Sequence, residues 1–312
     1  MIETILKGGS LATTSVIKEN GKTFVRKKIS LEKEREYGYY RWYSQLKKLQ
    51  RFSRMFPGKF VKVLDVGHLK DRKGESFAYM DLEFHLDAVN CYEYLCEPDR
   101  TLKEVKDLAK SILSSIIEVH EVLIDTSNNS MELYFEEEII SKIKECQKYA
   151  RFNYVYKDSL IPTMLPALKE IAAYLHKSVE SYTHGNLTLE NILFLRSSKT
   201  IVFIDPYEEN IIDNKYNDYS QLLQSANSHY ELLCDYGPDY KVPKAMRQFN
   251  GAVNALMGVG MSREERLLIQ FFECSQFYRM LPFKLKASKS MLDVVPFLRV
   301  AERLTRELIN AV

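Results

Sequence analysis

The rhythm of apolar and polar positions changes near residue 85. Before it, apolar residues recur at every second place over short runs. Residues 23–27 alternate in this way, and Asn20-Gly21 just upstream is the dipeptide a two-residue hairpin turn favours, because both positions need positive φ. Residues 60–64 and 77–80 read as two further strands, with the turn Asp71-Arg72-Lys73-Gly74 between them. One helix interrupts the strands. Ser30 stands at an N-cap position, and a charged, aromatic stretch runs from Leu31 to about Phe52 and stops before Pro57.

Beyond residue 85 the period lengthens to that of helices. Thr101-Leu102-Lys103-Glu104 has the form of a capping box. Behind it Leu102, Val105, Leu108, Ile112, Ile116, Val119 and Leu123 recur every three or four residues, which predicts a core-facing helix. Further helices are expected over 165–179 and 219–233. Another follows the cap Ser262-Arg263-Glu264-Glu265 and carries Leu267, Leu268 and Phe271, and a last one spans 297–309 behind Pro296. A strand pair, 191–194 and 201–204, sits among these helices and is joined by Arg196-Ser197-Ser198-Lys199. There is no internal repeat. The pattern predicts an α+β chain with a β-rich front, 1–84, and a larger helical back, 85–312, meeting in a cleft near residue 84.

Composition narrows the function classes. With 312 residues, 46% hydrophobic and 28% charged, the chain can bury a sizeable core and does not have the make-up of a disordered protein. Its 44 basic and 42 acidic residues leave a net charge of +2, which argues against nucleic acid as the partner. No run approaches eighteen apolar residues, and the first ten residues lack a basic region followed by an apolar core, so a cytoplasmic chain without a membrane partner is expected. Cys91, Cys96, Cys146, Cys234 and Cys274 are scattered and odd in number, which suggests neither a disulfide framework nor a zinc site. His120 and His176 fall on apolar helical faces and read as core histidines.

The segment Thr183-His184-Gly185-Asn186-Leu187-Thr188-Leu189-Glu190-Asn191-Ile192-Leu193-Phe194, followed by Ile204-Asp205-Pro206, is the most informative. Singly, Asn191 is a common turn residue and Asp205-Pro206 a common strand end. Together and in register they suggest two oxygen ligands converging on a Mg²⁺ ion from a hairpin. Here the chain resembles the aminoglycoside phosphotransferase and choline kinase-like family, matching at His184, Gly185, Leu187, Asn191 and Asp205. Asn186 stands where that family has its catalytic Asp.

The resemblance implies a two-lobed protein-kinase-like fold. The N-lobe, 1–84, would bind nucleotide, and the C-lobe, 85–312, would carry the catalytic loop. Gly8, Gly9 and Ser10 fit the loop that covers the phosphates. Lys27 fits the strand lysine that binds them, sharing a face with Val25 beside the base while Lys28 points away. Glu36 is the expected helix partner of Lys27, with Glu32 and Glu34 as competitors. Met80, Asp81 and Leu82 would form the hinge against the base. Asn191 and Asp205 would hold Mg²⁺, His184 would orient the loop, and Asp218 resembles the family's helix Asp that braces it. An acceptor pocket is expected beyond residue 215, using Tyr230, Glu231 and Asp235.

The resemblance implies transfer of the γ-phosphoryl group of ATP or GTP to a hydroxyl of a small molecule such as a sugar or an amino alcohol. Protein phosphorylation fits less well, because His184-Gly185 replaces the His-Arg pair of that branch and no Ala-Pro-Glu follows Asp205. An amide at position 186 can accept a hydrogen bond from a substrate hydroxyl but has no useful basicity. The rival expectation is a pseudokinase, a scaffold that binds nucleotide or a partner without turnover.

Overall fold

The computed structural model describes residues 2–6, 12–33, 37–176, 179–207 and 210–312. They form an α+β chain that divides into two compact units. The first unit comprises Met1–Cys91, His184–Asn186 and Asn191–Asn210, and the second Tyr92–Thr183, Leu187–Glu190 and Ile211–Val312. No helix among the described residues is long and apolar enough to cross a membrane.

The first unit is built on a five-stranded antiparallel sheet in the order β1-β2-β3-β5-β4. Its strands are β1 (Ile2–Ile5), β2 (Thr13–Glu19), β3 (Lys22–Ser30), β4 (Val63–Lys70) and β5 (Ser76–Glu83). Asn20 and Gly21 turn β2 into β3 with φ of 50° and 74°, the left-handed pair that a two-residue hairpin demands. Register sets Val25, Lys27 and Ile29 opposite Leu82, Met80 and Ala78. Helix α1 (Tyr37–Met55) packs on β3 and β4 and buries Trp42, Leu46, Leu49 and Phe52, one stripe at helical spacing. Residues 31–33, where the capping pattern predicts its start, form a turn. Ser30 is instead the last residue of β3, and its hydroxyl accepts from the amides of Glu32 and Lys33, so it caps a turn. The strand expected from residue 60 likewise begins at Val63, because Phe60 forms a parallel bridge to Phe203.

That bridge joins a second, three-stranded sheet, β6 (Ala88–Asn90), β7 (Ile192–Leu195) and β8 (Thr200–Phe203), to the first unit. Residues 184–186 and 191–210 therefore belong with the strands and not with the helices, which a simple cut after residue 84 would not give.

The second unit is helical. Its elements are α2 (Cys91–Cys96), α3 (Leu102–His120), α4 (Met131–Phe135), α5 (Ser141–Gln147), α6 (Ala150–Asp158) and α7 (Ile161–Tyr174), then α8 (Lys215–Ala226), α9 (Tyr230–Tyr236), α10 (Lys244–Met257), α11 (Arg263–Ala287) and α12 (Val295–Ala311). Both expected capping boxes form, at Thr101 with Glu104 and at Ser262 with Glu265. The single helix expected over 219–233 is two, because His229 takes φ 54° and breaks α8 from α9. α8 sits deepest: every residue from Tyr216 to Ala226 is buried. His120 is a core histidine, donating or accepting at Nε2 against Asp218 Oδ2 at 2.9 Å. His176 is not; α7 ends at Tyr174 and leaves it exposed.

Candidate functional site

Lys27 is the centre of the first unit's polar residues. Its position on β3 buries it to 3% exposure, and its Nζ donates to Asp205 Oδ2 and to Gln45 Oε1, each at 2.8 Å. Among the described residues, the helix group that meets Lys27 is the neutral amide of Gln45. Glu36, Gly8, Gly9 and Ser10 lie outside the described residues, as does Glu34; Glu32 accepts from the Ser76 amide. Lys28 points away and pairs loosely with Glu3 at 3.5 Å. The signal for Gln45 is in the sequence: it is a polar residue between Trp42, Leu46 and Leu49 on a stripe that otherwise enters the core.

Asp205 follows β8 with φ 53°, a left-handed conformation costly for a residue with a Cβ and best tolerated by Asp and Asn. Its carboxylate is 33% exposed, so a ligand can reach it while Lys27 holds it from one side. Asn191 is tied to the loop: its Nδ2 donates to the Asn186 carbonyl at 2.9 Å, which leaves its Oδ1 as the acceptor of the amide. The Asn191 carbonyl also accepts from the Ile204 amide at 3.0 Å, and this fixes Asn191 to the strand end that leads into Asp205.

His184 is wholly buried and acts as a spacer with two fixed bonds. Nε2 contacts the Ile204 carbonyl at 2.8 Å, so it carries the hydrogen, and Nδ1 accepts from the Asn186 amide at 3.2 Å. With both nitrogens used and the ring stacked on Phe60, it orients the loop and has no lone pair left for a substrate. Gly185 has φ 79°, and a Cβ there would lie 2.3 Å from the Tyr207 carbonyl oxygen, so only glycine fits. The side chain of Asn186 is half-buried and makes no hydrogen bond among the described residues.

The residues of the expected hinge are in the middle of a sheet. Met80, Asp81 and Leu82 lie inside β5, which pairs with β3 on one side and β4 on the other. Pairing on both flanks takes up the strand's backbone groups. The Asp81 carboxylate is engaged as well, in a two-point pair with Arg26 at 2.7 Å per bond. Val25 keeps the expected face, opposite Leu82 and two residues from Lys27.

In the second unit the loop residues Leu187 and Leu189 are held by helices. Gln221 Oε1 accepts from the Leu187 amide at 2.7 Å, while Ser225 Oγ and Glu231 Oε1 accept from the Leu189 amide, each at 3.1 Å. Asp218, the expected brace, pairs with His120, and Gln221 and Ser225, three and seven residues on along the same face of α8, also hold the loop. Glu231, expected in an acceptor pocket, lies elsewhere. It is buried, accepts also from Ser225 Oγ at 2.6 Å, and holds up the loop in place of facing an acceptor. Burial pushes its carboxyl up to about 7, against the lowering effect of the Ser225 and Leu189 bonds. Asp235 accepts from the Tyr92 hydroxyl at 3.0 Å.

No protein-family model and no curated protein matches the chain. Solved structures do. A fructosamine-3-kinase-like protein from Haemophilus somnus aligns over 99% of this chain and 91% of its own, with TM-score 0.59 and 11% identity. An aminoglycoside 2'-phosphotransferase variant with GDP aligns over 98% and 92%, with TM-score 0.60 and 13% identity. A thermostable aminoglycoside phosphotransferase APH(4)-Ia variant in a ternary complex with ADP and hygromycin B aligns over 99% and 94%, with TM-score 0.57 and 11% identity. The chain therefore has the α+β, protein-kinase-like fold of the aminoglycoside phosphotransferases and fructosamine kinases.

Proposed function

We propose that the chain binds a nucleoside triphosphate with Mg²⁺ and transfers its γ-phosphoryl group, slowly, to a hydroxyl of a small molecule such as a sugar or an amino alcohol. The observation that carries this reading is the buried Lys27, held between Gln45 and Asp205, with the Asn186–Asn191 link one strand away. A buried ammonium aimed at a half-open carboxylate suits phosphate oxygens, which would take over the charge that Asp205 now supplies. The neighbours bind GDP in one case and ADP with hygromycin B in another, which supports a nucleotide and a small-molecule acceptor here.

The metal fits the donors present. Among the described residues there is no cluster of three His, Cys, Asp or Glu side chains. Asp205 and Asn191 would hold it with phosphate oxygens and water, the usual arrangement for Mg²⁺ in nucleotide sites. When bound it would neutralise charge developing on the phosphoryl oxygens. Lys27 would bind the α- and β-phosphates, Gln45 would orient Lys27, and His184 would hold the loop. Asn186 would accept the hydrogen bond of the acceptor hydroxyl without taking its proton. General-base catalysis is worth about 10²–10⁴-fold, so turnover would be slow by roughly that factor.

Asn186 also favours a second reading, a nucleotide-binding or partner-binding pseudokinase, because its uncharged amide is unengaged among the described residues. The test that separates a nucleotide site from none is the melting temperature with and without Mg-ATP or Mg-GTP. Ligand at a hundredfold excess over Kd stabilises the folded chain by about 2.7 kcal/mol. A magnesium-dependent rise is expected, and no rise with either nucleotide would refute both readings in their nucleotide-binding form.

A further inference from the structure

Helix α1 meets the site through more than Gln45. Arg41, Gln45 and Lys48 stand at i, i+4 and i+7, on one face of the helix. The Arg41 guanidinium lies over the Tyr207 ring at 5.1 Å, and Lys48 Nζ donates to the Tyr207 carbonyl. Lys48 is 2% exposed, and its Nζ lies 5.3 Å from the centre of the Phe52 ring. A buried ammonium must be given polar partners, and the Tyr207 carbonyl is one that the structure supplies.

The carbonyl that Lys48 holds is the one lying over Gly185, where a Cβ would meet it at 2.3 Å. The same residue's amide donates to the His184 carbonyl at 2.9 Å. Tyr207 is thus clamped by α1 on one side and seated on the His184-Gly185 backbone on the other, two residues after Asp205. From there the fixed bonds continue through His184 to the Asn186 amide and from the Asn186 carbonyl to Asn191.

We propose that Lys48 is a positioning residue: by holding the Tyr207 carbonyl against Gly185 it sets the catalytic loop and the metal-binding Asp205 relative to α1. The inference rests on the phosphotransfer reading for its consequence, the metal-dependent part of nucleotide binding, but not for the mechanical link itself. Gln45 then fixes Lys27 and Lys48 fixes the loop from the same helix face, so a shift of α1 moves both together.

Two measurements on the full chain test this. Lys48→Met keeps the length and apolar volume of the stem and removes the donor; Lys48→Arg keeps a charged donor. Amide hydrogen exchange of a peptide covering 183–187 in the nucleotide-free protein should quicken at least tenfold in Lys48→Met and stay within about threefold of the parent in Lys48→Arg. Calorimetry with ATP should show the gain in affinity on adding Mg²⁺ reduced at least tenfold in Lys48→Met, with affinity for metal-free ATP changed little, and largely restored in Lys48→Arg. Exchange and magnesium gain both unchanged in a folded Lys48→Met would overturn the proposal. So would a variant that loses only melting temperature, since a purely structural lysine would do that. If the parent binds no Mg-ATP while exchange in 183–187 still responds to Lys48→Met, the phosphotransfer reading fails and the positioning link stands.

Discussion

Glu231→Gln should make the chain less sensitive to rising pH. Burial raises the Glu231 carboxyl from an ordinary value of 4.5 to about 7. Between those values the folded state keeps a proton that the unfolded state has released, so this group's contribution to stability falls as pH rises from about 4.5 to 7, then levels off. At 1.36 kcal/mol per pKa unit, the change between pH 5 and pH 8 is about 2–3 kcal/mol. Glutamine copies the protonated acid: its Oε1 can accept from Ser225 and from the Leu189 amide as the carboxylate does. A fixed cost of seating the amide NH₂, where Glu231 Oε2 has no partner, applies at both pH values and cancels in the difference. Thermal melts of parent and variant at pH 5 and pH 8 would measure it. For a helical unit of about 200 residues the variant should gain roughly 5–10 °C on the parent between the two pH values. A gap between them that stays constant from pH 5 to pH 8 would refute the reasoning, since Glu231 would then ionise alike in both states.

Other substitutions probe the first unit. Gly185→Ala puts a Cβ 2.3 Å from the Tyr207 oxygen at φ 79°, and it should lower stability by more than about 2 kcal/mol, read as a fall in denaturation midpoint. Asp205→Asn preserves shape and should abolish the magnesium-dependent rise in melting temperature while leaving any metal-free nucleotide shift; a full magnesium response would exclude Asp205 as the ligand. Asn186→Asp should raise phosphotransfer about 10²–10⁴-fold over a panel of sugars, amino alcohols and aminoglycosides, assayed by nucleotide diphosphate release. No gain across the panel would favour the pseudokinase.

The sequence discloses local chemistry more readily than long-range partnership. Asn20-Gly21, the Thr101 and Ser262 capping boxes and the Asp71–Gly74 turn are set by residues within four positions of one another, and each forms as read. The helices α5 and α6 have no side-chain cap of this kind. Phe152 and Tyr156 are the two residues of α6 that are buried, and only packing decides that they turn inward. Ser30 shows a local signal overridden: its place at the end of β3, opposite Phe77, converts an N-cap into a turn cap. In the candidate site, His184, Gly185, Asn191 and Asp205 could be read together because they fall within 22 positions of chain. Gln45 meets Lys27 across 18 residues and Asp205 meets it across 178, and periodicity cannot report such a pairing. What it can report is the exception: polar Gln45 and Lys48 on the apolar stripe of α1, and Asp218, Gln221 and Ser225 along the buried face of α8, mark helices that hold something other than core.

These exceptions share an energetic cost. Lys27 and Lys48 are buried cations, Glu231 is a buried carboxyl pushed up to about 7, and Asp205 sits in the left-handed region. Replacing buried ionic groups with apolar residues of similar volume is often neutral or stabilising by about 1–4 kcal/mol, so a fold serving only as a packed scaffold has no physical need of them. In the first unit Lys27 and Lys48 hold Asp205 and Tyr207, and in the second Glu231 holds the Leu189 amide. Within the first unit stability is thus spent on holding a lysine, a carboxylate and two amides in fixed relation. Asn186 lies within that arrangement and enters it through its backbone N–H and C=O and not through its side chain, so exchanging that side chain should leave the Lys27–Asp205 pair and the Asn191 bond to the loop in place.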